Sequence, residues 1–341
     1  MSKLEINQLD LFSGIGGFHL GFERAGYKVN SYFSEIDKHA VAVYKQQFKD
    51  STYVGSVTDV RGADLPTIDL ITFGSPCQDF SLAGKRKGME GERSSLILEA
   101  IRLINECRPR AFVWENVKGT FSSNDGEDFA AILQAFTNIG GYRLEWQLLN
   151  TSWFLPQNRE RIYLVGYSTK TKRNWRGVFP IGESAGKNTK LSGHNLKTNT
   201  LLQRYEAGAN GSYISECKQP SQEIKVKSAT SKGYEVASEG DSINLSQPNS
   251  ETRRGRVGKG KAQTLETSCN QAAVQDYRIR RLTPIECERL QGFPDNHTEY
   301  GNYDGEVKKM SNTQRYKQCG NAVTVDVVQA VAEQLKPIYN A

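Results

Sequence analysis

Short apolar runs, each cut by a turn residue and followed by a stretch of helical period, recur along the first part of the chain. Those at 9–12, 29–33, 52–57, 68–73 and 111–114 have the length and the bounding turn residues of buried strands. Between them, Phe18, Leu20, Phe22 and Ala25 precede a stop at Gly26, and Ala40, Val41, Tyr44 and Phe48 share one face over 37–48. Leu96, Ile97, Ala100, Ile101 and Ile104 do the same over 94–107, and another amphipathic helix over 129–139 closes at Gly140-Gly141. Strands alternating with helices predict an α/β fold with a doubly wound, mostly parallel sheet. The segments 144–149 and 161–166 then read as a hairpin-like pair.

From Ser168 the periodicity fades. Residues 168–275 are rich in Gly, Ser, Thr, Asn and Lys, with short β-like runs only at 211–214 and 224–226. Helical signals return at Thr283-Pro284-Ile285-Glu286, a capping box with proline at the first helical position. A last helix follows Gly320-Asn321-Ala322-Val323, with Val325, Val328, Val331, Ala332 and Leu335 on one face. The chain thus divides into a body at 1–167, a smaller, irregular, β-rich domain at 168–300 and a segment at 301–341 that returns to the body.

Charge sharpens this division. Residues 168–281 hold 20 Lys and Arg against 10 Asp and Glu, a net +10, while the rest holds 24 against 28, a net −4. A basic insert on a mildly acidic body suits a polyanion. The peak is Arg253-Arg254-Gly255-Arg256-Val257-Gly258-Lys259-Gly260-Lys261, where glycine between cations suits close approach to a phosphate backbone; disorder is the competing reading. In 341 residues no apolar run nears the ~18 residues of a membrane span. The six cysteines, Cys77, Cys107, Cys217, Cys269, Cys287 and Cys319, form no CxxC pair, which argues against a zinc ribbon and leaves no metal site to expect. The opening MSKLEINQLDLF lacks the apolar region of a secretory signal, so reduced thiols in a cytoplasmic compartment are expected.

Candidate chemistry gathers at strand ends. Pro76 stops the run at 68–73, and Cys77 follows at once, past the carboxyl end of a buried strand where open α/β sheets bind ligands. Glu115 sits at the end of the run at 111–114, on the same sheet edge. Arg159 and Arg161, two apart at a strand entrance, point the same way and can clamp a phosphate or a base carbonyl; a surface ion-pair ladder with Glu160 is the alternative. Ser13-Gly14-Ile15-Gly16-Gly17 lies between a strand and a helix, and Glu35 after the next strand is placed for ribose hydroxyls, which together suit a nucleoside cofactor. The glycine-rich charged stretch 81–93 reads as a lid.

At this point the chain resembles the DNA (cytosine-5)-methyltransferases over nearly its whole length. DLFSGIGGF, GSPCQDFS, ENV, QNRERIYLVG, RRLTPIECERLQGFPD and QCGNAV stand in the family's order, and Thr264-Leu265 resembles a doublet of its recognition region. The resemblance implies a methyltransferase sheet with a target-recognition domain at 168–300. It implies S-adenosyl-L-methionine as the cofactor, leaving as S-adenosyl-L-homocysteine, along Phe12, Ser13, Gly14, Ile15, Gly16 and Gly17. Glu35 would meet its ribose and Ile36 its adenine, with Val57, Pro76, Leu96, Asn321 and Val323 completing the pocket. Cys77 would be the nucleophile, Glu115 the proton donor, Arg161 the ligand of the base carbonyl and Arg159 its support. Duplex DNA with one cytosine flipped out would be the substrate. Ser81, Lys85, Arg86, Lys87, Arg253, Arg254, Arg256, Lys259, Lys261, Thr264 and Leu265 would contact it. A nucleoid-associated monomer is implied, acting either beside a separate restriction endonuclease or alone as a protective enzyme. Two positions depart from the family: Ser56-Val57 stand where an acidic residue is common, and Ile36 where an aromatic is. The transfer-RNA branch of the same fold, a DNA-binding relative without catalysis and a nicotinamide oxidoreductase are the alternatives.

Overall fold

The computed structural model describes residues 4–75, 95–170, 177–182, 223–276 and 278–340. The stretch 81–93 and the run at 211–214 lie outside them.

β1 (Leu4–Leu11) lies inside the sheet, with β2 (Tyr27–Ser34) and β4 (Leu70–Gly74) beside it in parallel. β3 (Thr52–Tyr53) extends the parallel array past β2, and β5 (Ala111–Val117) extends it past β4. β8 (Glu160–Ser168) runs antiparallel to β5, and β6 (Tyr142–Asn150) antiparallel to β8, giving seven strands in the order β3-β2-β1-β4-β5-β8-β6. Side chains alternate across this sheet as the pleat requires. Leu9, Ile71, Phe112 and Leu164 face α3 (Ser95–Cys107) and α4 (Glu127–Asn138), which cover them with Ile97, Leu103, Ile132 and Phe136. Ile6, Leu70, Val113 and Val165 face α1 (Gly17–Arg24) and α7 (Val325–Tyr339), through Phe18, Phe22, Val328 and Leu335. The doubly wound, mostly parallel sheet expected from the alternating pattern is present.

Three strands differ from expectation. The first starts at Leu4, five residues ahead of the run at 9–12, and leaves Phe12 outside at φ 51. The third pairs only over two residues and breaks before Gly55, at φ 85. The fifth runs on to Val117 instead of stopping at Trp114, because Glu115, Asn116 and Val117 pair with Tyr163, Ile162 and Arg161 of β8. Glu115 is therefore part of the ladder. α2 (Lys38–Gln47) has Asp37 as its cap, whose carboxylate accepts from the His39 N–H.

Among its described residues, the basic region holds two small sheets of its own. β9 (Ile224–Lys227) pairs with β10 (Tyr234–Ala237). β11 (Ser242–Asn244), β12 (Val257–Gly258), β14 (Gln271–Gln275) and β15 (Arg278–Arg281) pair in the order β12-β11-β14-β15. Val226, Ala237, Ile243, Ala272 and Val274 form their shared core. β13 (Ala262–Gln263) leaves this group and pairs in parallel with β7 (Gln157–Asn158), the segment just before β8. α5 (Pro284–Leu290) begins with the capping box expected at Thr283 and Glu286. A hairpin of β16 (Tyr300–Tyr303) and β17 (Glu306–Lys309) and then α6 (Asn312–Asn321) lead into α7.

Candidate active site

β4 and β5 run in parallel, so their carboxyl ends share one edge. Ser75 is the last described residue of the first. Its buried hydroxyl accepts from Trp114 Nε1 at 2.9 Å and from Asn116 Nδ2 at 3.1 Å. The chain is therefore fixed to β5 two residues ahead of Cys77. Asn116 Oδ1 in turn accepts from the Val117 N–H and from Thr120 Oγ1. Pro76 and Cys77 themselves lie outside the described residues.

Glu115 is opposite Gly74 on one side and Tyr163 on the other. It is 8% exposed, and Arg161 Nε lies 3.1 Å from its Oε1. The contact is diagonal: Arg161 is registered on Val117, so both side chains leave the same face two positions apart. A carboxyl group held by a guanidinium beside the end of β4 can, when protonated, donate to a ring nitrogen while its other oxygen accepts from an amine, and the guanidinium offers donors to a carbonyl.

Arg159 does not share this direction. It lies ahead of β8, is 3% exposed, and donates through Nη2 to the Ala322 carbonyl at 2.9 Å and through Nη1 to that of Gly320 at 3.3 Å. The expected pair of parallel arginines is thus divided: Arg161 faces Glu115, and Arg159 ties the active-site strand to the chain between α6 and α7. Glu160 pairs with Lys118 at 2.8 Å.

The glycine loop is a left-handed turn. Phe12, Gly14 and Gly16 have φ of 51, 54 and 82, a region that only glycine enters freely. A Cβ on Gly16 would lie 2.3 Å from Phe48. Glu35 closes the loop from the side: Oε2 accepts from the Gly14 N–H at 2.9 Å, and Oε1 from those of Ile36 and Asp37 at 2.8 and 2.9 Å. A carboxylate has about four lone-pair sites, so capacity for a hydroxyl remains. Ile36 is 81% exposed, a bare apolar face beside that carboxylate. The Ser13 hydroxyl is buried without a hydrogen-bond partner among the described residues. These features fit a ribose, an adenine and a polar group beyond them, as the expected S-adenosyl-L-methionine would present. Ile15 is buried, Val323 packs on Gly17, Leu96 is partly buried beside the α3 core, and Asn321 is exposed at the end of α6. Val57 is buried in that core with its carbonyl accepting from Arg102.

The basic cluster divides between surface and interior. Arg256 is 5% exposed, and its guanidinium donates to the carbonyls of Asn244, Lys227 and Pro248. This corrects the expectation that Arg256 faces a phosphate: it pins β9, β11 and the loop that follows β11 at Pro248. Leu265 is also buried, in a cluster with Ala262, Cys287 and Leu290. Its N–H donates to Gln157 Oε1 at 3.0 Å, and Thr264 Oγ1 donates to the Asn158 carbonyl at 2.8 Å. Leu265 is therefore a core residue, not a surface contact. Arg254 and Lys261 are exposed, Arg253 lies 4.0 Å from Glu266, and Lys259 pairs with Asp241 at 2.6 Å. Ser81, Lys85, Arg86 and Lys87 lie outside the described residues.

Sequence reasoning missed Ser75, Asn116 and Gln157. Each stands inside a motif already singled out, but only pairing between strands gives it a partner. Among the described residues, no three His, Cys, Asp or Glu side chains are placed to hold a metal ion, and no helix is long and apolar enough to cross a membrane.

Residues 6–337 match the family model of the C-5 cytosine-specific DNA methylases. The chain is 33% identical over 329 residues to the type II methyltransferase M1.ScrFI of Lactococcus lactis subsp. cremoris, covering 96% of this chain and 77% of that one. It is 33% identical over 336 residues to the type II methyltransferase M.NlaX of Neisseria lactamica, covering 98% and 97%. Its fold matches that of the S. pombe Dnmt2 methyltransferase with a TM-score of 0.60 at 16% identity, over 97% of this chain and 99% of the other. With the motifs in order from the glycine loop to Asn321, and with the sheet that carries them, the chain belongs to the C-5 cytosine-specific DNA methylase family and is an enzyme of that class.

Proposed function

We propose that this enzyme methylates C5 of a cytosine flipped out of duplex DNA, through a covalent bond from Cys77 to C6. The observation that carries the reading is Glu115 and Arg161 side by side, next to the strand whose end leads directly to Cys77. Arg161 orients the base by donating to O2. Glu115 binds N3 and the exocyclic amine, and delivers a proton to N3 as the Cys77 thiolate adds to C6. The electron pair of the C5–C6 double bond then rests on C5, which becomes nucleophilic as in an enamine. Glu35, Ile36, Ser13 and the glycine loop would hold S-adenosyl-L-methionine, which would supply the methyl group to C5 and leave as S-adenosyl-L-homocysteine. Loss of the C5 proton to a base expels Cys77 as the thiolate, and return of the N3 proton to Glu115 restores the aromatic ring. Arg159 keeps the strand before Arg161 fixed against the chain near Asn321.

Residues 168–300 read the DNA, with Arg253, Arg254, Lys259 and Lys261 toward its phosphates, and 301–341 return to the catalytic body. Net positive charge confined to that insert supports a polyanionic partner. The names of the type II relatives support a place in restriction–modification, beside an endonuclease that acts separately; a cytoplasmic monomer suits that role. The test is bisulfite sequencing of DNA from cells expressing this chain. Methylated cytosines in one recurring sequence are expected. An unmodified genome alongside soluble, cofactor-binding protein would overturn the reading.

A further inference from the structure

The segment that runs from α5 through Pro294 to His297 belongs by position to the insert, yet its histidine reaches the cofactor loop. His297 is 3% exposed, and its Nε2 lies 2.9 Å from the carbonyl oxygen of Ile15, 282 residues earlier. A carbonyl only accepts, so Nε2 carries the proton in this contact. Ile15 stands between Gly14 and Gly16, both left-handed. Such a turn persists where its surroundings over-determine it.

The histidine is itself held from three sides. Glu288, fully buried, accepts from the N–H groups of Asn296 and Thr298, from Thr298 Oγ1, and from Arg315 Nη2 at 2.9 Å. This fixes the turn at Asn296, whose φ is 65. Gln47 Nε2 donates to the His297 carbonyl at 2.7 Å, and Phe293 packs against the ring at a centroid distance of 4.5 Å. A histidine present only to fill volume does not require a buried Glu288–Arg315 pair to set its direction.

We infer that His297 is a positioning residue for cofactor binding: its Nε2–H holds the Ile15 carbonyl and so keeps the glycine loop in the left-handed shape that meets the ligand. The inference rests on the proposal that S-adenosyl-L-methionine binds this loop. His297→Gln keeps a donor within reach of the carbonyl. His297→Phe fills the space and removes the donor, and His297→Asn has an amide that stops short. Calorimetry with S-adenosyl-L-homocysteine should give a Kd about tenfold weaker for H297F and H297N, the value of one hydrogen bond, and a near wild-type Kd for H297Q. Affinity for duplex DNA without cofactor should be the same in all of them. In the cofactor-free protein, the amides of residues 13–17 should exchange about tenfold faster in H297F and H297N only. Wild-type affinity and exchange in H297F overturn the inference; where H297F does not fold, H297N decides in the same way. Failure of the underlying proposal is separate: the wild type, or Glu35→Ala, would then show no dependence of ligand binding on this loop, while the exchange data would still test the role of His297.

Discussion

Arg161 reaches diagonally across the β5·β8 ladder to Glu115, its Nε 3.1 Å from Oε1, while the other carboxylate oxygen lies over Gly74. A Cβ at Gly74 would stand 3.2 Å from Oε2. The carboxylate is thus fixed by one strand and given room by another. Glu115→Gln should lower methyl transfer about 100-fold or more, the usual span for a lost general acid, with cofactor affinity unchanged. Gly74→Ala should lower turnover by a smaller factor, because the oxygen must give by a few tenths of an ångström. Radiolabelled methyl transfer to duplex DNA measures both; full activity in Glu115→Gln would remove the acid from the mechanism.

Cys77→Ser should abolish methyl transfer while DNA binding survives. Wild-type protein should form a stable covalent complex with DNA bearing 5-fluorocytosine, since release requires a proton on C5. Asn116→Ala frees one donor from Ser75 and should reduce the rate at which that complex forms, read on a denaturing gel. Unaltered trapping kinetics would show that Ser75 does not steady the approach to Cys77.

Neighbouring arginines in the basic cluster should behave oppositely. Arg256→Ala removes charged donors from buried carbonyls and should cost about 2–3 kcal/mol of stability. Arg254→Ala and Lys261→Ala should leave the melting temperature alone and flatten the salt dependence of DNA binding, by about 0.9 in slope for each phosphate that is no longer neutralised. Equal slopes for Lys261→Ala and the wild type would take that lysine off the DNA.

Burial pushes the His297 imidazole down to about 4, from an ordinary value of 6.5. Between those values the unfolded chain binds more protons than the folded one, so stability rises with pH. The contribution is fully present above pH 6.5, is lost as pH falls to about 4, and amounts to ~3 kcal/mol. Asp10 acts in the other direction. Burial raises its carboxyl well above the usual range despite hydrogen bonds from Thr72 and Tyr44, so the folded chain holds the extra proton and stability declines as pH climbs above about 4. Urea unfolding from pH 4.5 to 7 should therefore show His297→Gln flattening the rise, and Asp10→Asn gaining most at the upper end. Parallel curves for wild type and H297Q would contradict the first.

The sheet was legible because its strands are apolar on both faces: Leu70, Ile71 and Phe73 announce a buried strand without any neighbour being known. The continuation of β5 through Glu115-Asn116 was not, since polar residues there are stabilised by β8, which lies far along the chain. The same holds for Arg159 and Arg161. Alternation along a strand predicts one direction for both, but Arg159 finds carbonyls at Gly320 and Ala322, about 160 residues away. Within Arg253-Arg254-Gly255-Arg256, nothing local says which arginine turns inward; the pairing of β11 with β12 decides it. The histidine under the glycine loop carried no local signal, its partner lying 282 residues earlier.

The parallel pairing of Ala262-Gln263 with Gln157-Asn158 bears on how specificity can be exchanged between relatives. A chimaera that imports a foreign reader with its own copy of 262–265 would splice an unmatched strand beside the segment that leads into β8 and Arg161. Donor and recipient would then have to agree at that seam, so workable crossover points fall ahead of it, and the last few residues of the reader are inherited with the catalytic half.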